Sequence, residues 1–264
     1  MSKTVVLTGA AGGMGTAVRK LLEEKGYRVW SLDIAECDIP QYIRTDITSP
    51  ESVEAAASQI ASECGRIDAV VHTAGIYDMN SLVEMPEEEF MRIFNVNLFG
   101  MYRVNKAFLP LLNPKSRIIM VSSELAPLDP LPFNGIYGIT KSAIEKYAYS
   151  LRMELQLLGH KVSVVRPGAV KTSLLDVSQK RIENFCDSTE LYKNTSRRFL
   201  KLVNKIETSN VKPEKVASKI LRALQTPHPL YVYNINRSPL LFRFNILPQH
   251  LQNFLIRKIL TNRG

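Results

Sequence analysis

Residues 4–15 constrain the fold of this chain more than any other stretch. They read Thr-Val-Val-Leu-Thr-Gly-Ala-Ala-Gly-Gly-Met-Gly, a short apolar run followed by a turn with four glycines. The apolar run is typical of a buried parallel strand, and residues 16–22 continue with the pattern of a helix. A helix N-terminus behind a glycine turn favours phosphate, because its free N–H groups point outward and no Cβ blocks the approach. The stretch therefore predicts a dinucleotide site made of a strand, a turn and a helix.

The rest of the chain alternates between apolar β-branched runs and amphipathic segments. We expect strands at residues 28–32, 42–45, 69–72, 117–121, 161–165 and 230–233, and helices at residues 50–63, 87–109, 136–158 and 213–224. This alternation predicts an α/β fold with a doubly wound, Rossmann-type parallel sheet and helices on both faces. We expect one domain over residues 1–264, with a helical excursion over the site at 173–212 and an apolar C-terminal extension at 234–264.

Several polar or small residues directly follow predicted strands. Asp33 lies about 20 residues past the glycine turn, where an acid binds the adenosine ribose hydroxyls in dinucleotide-binding folds. An ordinary turn aspartate is the alternative, which the preceding glycine turn disfavours. Asp46, Gly75, Ser123 and Gly168 also follow predicted strands. Since ligands bind beyond the carboxyl ends of parallel strands, we expect these residues to lie along one edge of the sheet.

Two local patterns inside predicted helices indicate chemistry. Residues 95–100, Asn-Val-Asn-Leu-Phe-Gly, are poor helix formers in the middle of a long helix, and such a conflict is typical of a functional site. Tyr137 and Lys141 are four residues apart near a helix start, so they share one face. An ammonium beside a phenol favours the phenolate and lowers the tyrosine pKa from about 10, which makes it a usable acid or base. Most tyrosine–lysine pairs at this spacing lie on the protein surface and have no chemical role, but this pair follows a strand that ends in Ser122 and Ser123.

Six patterns in order resemble the short-chain dehydrogenase/reductase family over about residues 4–233. They are Thr8-Gly9-x-x-x-Gly13-x-Gly15, Ala74-Gly75, Asn97, Ser123, Tyr137-x-x-x-Lys141 and Pro167-Gly168-x-x-x-Thr172. The resemblance implies that Tyr137 is the proton donor and acceptor, Ser123 binds the substrate oxygen, Lys141 binds the nicotinamide ribose, and Asn97 holds a proton-relay water. Because Ser123 and Tyr137 are one residue further apart than is usual in the family, Ser122 is an alternative to Ser123.

The same resemblance implies a set of cofactor contacts. These are Gly9, Ala11, Gly12, Gly13, Met14, Gly15, Asp33, Asp46, Ile47, Ala74, Gly75, Tyr137, Lys141, Pro167, Gly168, Val170 and Thr172. Val170 and Thr172 would bracket the nicotinamide. A carboxylate at Asp33 would repel a 2′-phosphate, so the expected cofactor is NAD rather than NADP. Where the family usually has asparagine, this chain has His72.

Residues 166–172 and 233–260 resemble the steroid- and retinol-dehydrogenase branch of the family. We therefore expect an oxidoreductase that interconverts a secondary alcohol and a ketone on a lipophilic, steroid-like substrate. The alternatives are a reductase of 3-oxoacyl thioesters and, outside the enzymes, a cofactor-sensing or membrane-surface binding protein. The C-terminal apolar stripe is either core or a subunit contact, or else a lipophilic substrate wall or a peripheral membrane contact. The two long helices resemble the family's dimer-forming pair, so we expect a homodimer or homotetramer.

Charge and composition limit which partners and which cellular compartment we expect for this protein. The net charge of +9 divides into −5 for residues 1–140 (12 Lys and Arg against 17 Asp and Glu) and +14 for residues 141–264 (22 against 8). A basic half favours an anionic partner or a membrane surface, although a solvated basic face is the commoner origin; no nucleic-acid partner is expected. The sequence has no apolar run of transmembrane length. Its three cysteines and four histidines are scattered, so we expect free thiols, no metal site and a cytoplasmic protein.

Overall fold

A single sheet of seven parallel strands organises the protein. The computed structural model describes residues 2–206 and 210–261, apart from the side chains of residues 173–179, 205 and 206. The strands are β1 (Thr4–Thr8), β2 (Arg28–Asp33), β3 (Tyr42–Arg44), β4 (Ile67–His72), β5 (Leu112–Val121), β6 (Lys161–Pro167) and β7 (Val232–Ile235). Their order is β3-β2-β1-β4-β5-β6-β7, and each neighbouring pair is parallel. The predicted doubly wound sheet is confirmed, and its strand order reverses between β1 and β4, where such folds form a ligand crevice.

Helices cover both faces of the sheet. They are α1 (Gly13–Glu24), α2 (Pro50–Cys64), α3 (Glu87–Phe94), α4 (Gly100–Phe108), α5 (Gly135–Leu155), α6 (Ser173–Ser188), α7 (Lys193–Ile206), α8 (Pro213–Gln225), α9 (Pro239–Asn245) and α10 (Gln249–Thr261). Side chains alternate along β1, so Val5 and Leu7 pack with α1 and α8, while Val6 packs with α2, α4 and α5. This alternation is the reason that the strands are apolar without interruption.

The helix predicted over residues 87–109 is interrupted. Between α3 and α4, Asn95–Phe99 form a π-helical turn, in which the Gly100 N–H bonds the Asn95 carbonyl five residues back. Gly100 packs against the segment that follows β3, and a Cβ at this position would lie 2.7 Å from Ile47 Cδ1. The two asparagines and the glycine that disfavour an ordinary helix therefore lie where the helix widens, in a form that often marks functional sites.

Some strand boundaries differ from those expected. β5 begins at Leu112 rather than residue 117, and its register with β4 shifts between Ile67 and Ala69. β6 extends through Pro167, and β7 lies two residues later than the predicted 230–233. The reason is pairing, because Val232 lies opposite Val164 and Ile235 opposite Pro167. A propensity pattern does not contain this register.

Four helices of the C-terminal half, α6, α7, α9 and α10, lie near the carboxyl edge of the sheet. α6, α7 and α10 meet in a third apolar cluster that includes Ile182, Phe199, Val203 and Leu260, with Tyr137 at its margin. Pro248 separates α9 from α10, as expected. Within residues 2–206 and 210–261, the structure contains no helix with the length and hydrophobicity that spanning a membrane requires.

Candidate active site

Three of the four glycines in the turn, Gly9, Gly13 and Gly15, have no space for a Cβ. Gly9 has a φ of +71°, and a Cβ there would lie 2.5 Å from the Ala74 nitrogen. A Cβ at Gly13 would lie 2.8 Å from the Thr172 side chain, and one at Gly15 would lie 2.0 Å from the Gly9 carbonyl. No side chain caps α1, so its first N–H groups can receive an anion. The turn therefore has the space and the N–H groups to hold a pyrophosphate, and its role as the binding site stays a prediction.

Asp33 lies at the end of β2, beside this turn. Its carboxylate accepts hydrogen bonds from the Ala11 N–H at 2.9 Å and from the Ala35 N–H at 3.1 Å. Arg28 lies at the other end of the same strand, and its guanidinium packs over Trp30. Arg44 is opposite Asp33 in register, but its side chain bonds the Ile34 carbonyl and Glu36. Asp33 is thus fixed next to the turn, in the place expected of a ribose-binding carboxylate.

Asp46 and Ile47 follow β3, on the same side of the sheet as Asp33. The Asp46 carboxylate accepts hydrogen bonds from the N–H and the hydroxyl of Thr48, at 2.8 and 2.7 Å. The buried Ile47 side chain packs on Gly100. Their side-chain contacts shape the connection to α2.

A cavity of about 520 Å³ opens at the carboxyl ends of β4, β5 and β6. Nine of the residues predicted for the site line it: Met14, Gly75, Ser123, Tyr137, Lys141, Pro167, Gly168, Val170 and Thr172. Ten others do not line it: Gly9, Ala11, Gly12, Gly13, Gly15, Asp33, Asp46, Ile47, Ala74 and Asn97. Most of the second group belong to the glycine turn and to the ends of β2 and β3, where the adenosine half of a dinucleotide would extend. The nicotinamide and the substrate would then lie in the cavity itself.

Lys141 and Tyr137 meet inside the cavity. Lys141 is only 5% exposed, and its Nζ donates to the Val121 carbonyl at 3.4 Å. The same Nζ lies 5.4 Å from the centre of the Tyr137 ring, and the centre of the Tyr77 ring lies 4.6 Å from that of Tyr137. Burial lowers the pKa of Lys141 from 10.5 to about 8. When Lys141 is protonated, its charge favours the phenolate of Tyr137.

Asn97 sits in the π-helical turn, directly behind the cavity. Its fully buried amide forms two hydrogen bonds with the Ile76 backbone, at 2.8 and 2.9 Å, and a third with Thr140 Oγ1 at 3.2 Å. A Cβ at Gly75 would lie 3.3 Å from Asn97 Oδ1 and 3.6 Å from Lys141 Nζ. Asn97 therefore holds the segment after β4 against α5 and lies close to Lys141.

Ser122 and Ser123 both line the cavity but bond differently. The Ser122 hydroxyl donates to the Lys141 carbonyl on α5 at 3.4 Å. The Ser123 hydroxyl oxygen accepts from the Leu125 N–H at 3.2 Å, so its own proton remains able to donate to a substrate oxygen. This difference favours Ser123 over Ser122 for contact with substrate.

His72 is the last residue of β4, and its buried side chain faces α4 rather than the cavity. Its Nε2 lies 2.9 Å from Asn105 Oδ1 on α4, and burial lowers its pKa to about 4. His72 is therefore a neutral residue that ties β4 to α4.

The match to known proteins extends over most of the chain. The model of the short chain dehydrogenase family matches residues 3–183. The chain belongs to the short-chain dehydrogenase family. It is 30% identical over 230 residues to a 3-ketodihydrosphingosine reductase of Bacteroides thetaiotaomicron, which covers 85% of this chain and 84% of that protein. It is 32% identical over 184 residues to a 3-oxoacyl-acyl-carrier-protein reductase of Vibrio cholerae, covering 65% and 75% of the two chains.

Solved structures agree with this assignment. The ligand-free aldohexose dehydrogenase of Thermoplasma acidophilum superposes with a TM-score of 0.72 at 25% identity, covering 88% of this chain and 92% of that one. Members of this family are oxidoreductases that use a nicotinamide dinucleotide, and the glycine turn with its Cβ-free contacts fits such a group.

The far walls of the cavity in this short-chain dehydrogenase come from the loops after β4 and β5 and from α7 and α9. Apolar side chains form most of them: Ile76, Met79, Leu125, Leu131, Phe199, Val203, Pro239, Leu240 and Leu241. The sequence predicts a lipophilic substrate wall at Leu174, Leu175, Phe199, Leu240, Leu241, Phe242, Phe244, Ile246 and Leu247. Of these, Phe199, Leu240 and Leu241 line the cavity. Phe242, Phe244, Ile246 and Leu247 do not line this cavity, since α9 turns only one side toward it, and Leu174 and Leu175 lie outside the described side chains.

Glu124 is the acidic residue of the cavity lining, and it was not predicted. Its Oε2 accepts from the Ser238 N–H at 2.6 Å, which ties the start of α9 to the end of β5. Burial raises the pKa of this carboxyl. Its position one residue after Ser123 is the only signal that the sequence offered.

Proposed function

We propose that this protein is an NAD-dependent oxidoreductase that interconverts a secondary alcohol and a ketone on a lipophilic substrate. The observation that carries the proposal is the Tyr137–Lys141 pair, which lines a cavity beside Ser123 and whose lysine is buried. The dinucleotide, when bound, supplies the hydride to the carbonyl carbon or takes it from the carbinol carbon. The protein's own residues handle the proton and position the substrate.

Tyr137 is the acid and base of the proposed reaction. In the reducing direction its phenol gives a proton to the substrate oxygen, and in the oxidising direction its phenolate takes that proton. The Lys141 ammonium stabilises the phenolate, and the Ser123 hydroxyl donates to the same substrate oxygen. Asn97 lies near Lys141 and is the residue that would hold a relay water between the site and solvent. A cofactor-sensing or purely binding protein has no need of this pair, which argues against the non-enzymatic alternative.

The walls of the cavity support a lipophilic substrate. Apolar residues of α7 and α9 face the space beyond Tyr137. Burial of ligand apolar area contributes about 25 cal/mol per Å² before the costs of binding, so a steroid-sized or long-chain ligand gains far more than a polyol. The similarity to a 3-ketodihydrosphingosine reductase supports a lipid ketone as well.

NAD is the proposed dinucleotide. Asp33 is fixed by two backbone N–H groups beside the glycine turn, and its carboxylate would accept from ribose hydroxyls and repel a 2′-phosphate.

Reduction of 3-oxoacyl thioesters is the second candidate. The similarity to a 3-oxoacyl-acyl-carrier-protein reductase favours it, as does the exposed Arg237 in the lining of the cavity, which could bind an anionic group.

A substrate panel tests the proposal. NADH absorbance is followed with hydroxysteroids, a long-chain sphingoid ketone, a 3-oxoacyl thioester and small polyols. We expect kcat/KM for the bulky lipids to exceed that for polyols by about tenfold or more. A preference for the thioester would favour the second candidate, and a preference for polyols would refute the lipophilic substrate.

A further inference from the structure

The outer surface of α7, α9 and α10 combines exposed apolar side chains with basic ones. We call it the C-terminal face. Its apolar members are Leu240, Phe242, Ile246, Leu251, Phe254 and Ile259, with exposures between 41% and 67%. Its basic members are Lys193, Arg197, Lys201, Arg237, Arg243, Arg257 and Lys258, all of them exposed.

Acidic residues are missing from the segments that form this face. Residues 191–206 and 236–264 contain no aspartate or glutamate. The exposed Arg197 does pair with Asp187 of α6, at 3.1 Å. The C-terminal face therefore carries a strong positive charge among apolar groups, a combination typical of helices that lie in the interface of an anionic bilayer.

The helices of this face have two distinct sides. On α7, Phe199 and Val203 line the cavity, whereas Lys193, Arg197 and Lys201 follow at four-residue spacing on the opposite side. On α10, Gln252 and Leu260 are buried, whereas Leu251, Phe254 and Lys258 are exposed. The Arg198 guanidinium donates to the Leu260 carbonyl at 2.9 Å, which joins α7 to α10.

The start of α9 connects the face to the cavity. Leu240 and Leu241 line the cavity, while the next residue, Phe242, is exposed and lies under Arg237 with 4.7 Å between the guanidinium carbon and the ring centre. An aromatic ring with an adjacent arginine is suited to the headgroup region, where the ring contacts acyl chains and the cation contacts phosphate.

We propose that the C-terminal face docks the protein on an anionic lipid surface, with the opening of the cavity next to the bilayer. A second copy of the chain fits the face poorly, because two such surfaces would bring basic residues against basic residues. An anionic bilayer complements both components, since it offers apolar depth to the phenylalanines and negative charge to the arginines and lysines. A lipid substrate would then pass between bilayer and cavity along α9.

Co-sedimentation with vesicles tests this docking in the absence of substrate and dinucleotide, so its outcome is independent of the proposed activity. We expect the full-length protein to pellet with vesicles of phosphatidylcholine and phosphatidylglycerol, to bind neutral phosphatidylcholine vesicles weakly, and to be released by salt. The double substitution Phe242→Ser and Phe254→Ser should lower the partition coefficient by about tenfold or more.

One control variant and one charge-reversal variant accompany the double serine substitution. Leu157→Ser removes an equally apolar, 83% exposed side chain from outside the C-terminal face and should leave binding unchanged. Arg243→Glu with Lys258→Glu changes only exposed charges and should weaken binding to anionic vesicles alone. The proposal is overturned if the wild-type protein does not pellet with anionic vesicles, or if the double serine variant binds as well as wild type. It is also overturned if the serine substitutions lower the oligomeric state in solution, which would assign the face to a second copy.

Discussion

Asp33 joins three features of the site in one side chain: the end of β2, the glycine turn through Ala11, and the loop through Ala35. Because a 2′-phosphate there would face a like charge, we predict that kcat/KM for NAD exceeds that for NADP by about a hundredfold or more. Asp33→Ser should remove most of this preference. Asp38→Asn, on the exposed loop that follows β2, should keep it. Equal kcat/KM values for the two dinucleotides in the wild-type enzyme would refute the assignment.

Burial of the Lys141 ammonium lowers the stability of the native state. With its pKa lowered by burial from 10.5 to about 8, the native state releases this proton well before the unfolded state does. Below pH 8 burial of the charged lysine lowers the free energy of unfolding by the full amount, about 3 kcal/mol. Between pH 8 and 10.5 the unfolded state binds more protons than the native state, so the free energy of unfolding rises with pH. We predict that Lys141→Met, without dinucleotide, stabilises the protein at pH 7 by up to about 3 kcal/mol, and that this gain shrinks toward pH 10.

Urea unfolding at pH 7 and pH 9.5 measures this difference. Lys146→Met serves as the control, because Lys146 is exposed on the same helix and its substitution should change stability little at either pH. A Lys141→Met variant that is less stable than wild type at pH 7, or equally stabilised at both pH values, would show that burial of the ammonium is not costly.

At the scale of residues, the sequence indicated which side chains the structure brings together, because each of them follows a strand or shares a helix face with its partner. Their catalytic roles stay predictions. Tyr137 and Lys141 are four apart on α5, and Ser123 follows β5. Glu124 was missed, since its burial depends on Ser238, more than a hundred residues further along the chain. No local pattern contains such a contact.

Among the elements, α9 contributes part of the wall of the cavity that we propose for the substrate. Leu241 faces the cavity, and Ile246, just beyond the helix, is 67% exposed. We predict that Leu241→Ala raises KM for a bulky lipid substrate by about tenfold, because about 1–2 kcal/mol of apolar contact is lost, and that KM for NAD changes little. Ile246→Ala should alter neither constant in vesicle-free assays. Unchanged lipid kinetics in Leu241→Ala would mean that the substrate does not reach α9.

Strands and helices were predictable in kind, but some limits were not. Buried parallel strands are continuous apolar runs, and β1, β2 and β4 were therefore evident. The π-helical turn at Asn95–Phe99 was not, because it depends on Gly100 packing against Ile47 and on Asn97 bonding the Ile76 backbone. For the same reason β7 was misplaced by two residues, since β6 sets its register.

For the molecule as a whole, α3, α4 and α5 present a second exposed apolar surface. Met91, Phe99, Tyr102, Ile139, Tyr149 and Met153 are each 40–52% exposed there. We predict a homodimer that uses this surface, and we expect Tyr149→Arg with Met153→Arg to give a monomer in sedimentation velocity. Leu191→Arg, at an exposed site on another part of the molecule, should leave the dimer intact. A wild-type protein that is monomeric at micromolar concentration would contradict this assignment.

Topology predicted the edge at which the site lies but not its walls. Gly75, Ser123 and Gly168 meet in one cavity because β4, β5 and β6 are parallel neighbours. The walls come from α7 and α9, whose placement over that edge depends on the third apolar cluster and on the bond between Glu124 and Ser238. The cytoplasmic location stays a prediction.

The central claim is that this protein moves a hydride between a nicotinamide and a carbinol carbon, with Tyr137 supplying the proton. Its most direct test is reduction of the best ketone from the panel with NADH that carries deuterium on one or the other face of nicotinamide C4, followed by mass spectrometry. We predict that one of the two labelled cofactors places a single deuterium on the carbinol carbon, and that Tyr137→Phe lowers this transfer by about 10² to 10⁴ while NADH still binds. Product without deuterium at that carbon from either cofactor, or a Tyr137→Phe variant that keeps most of its rate, would contradict the account.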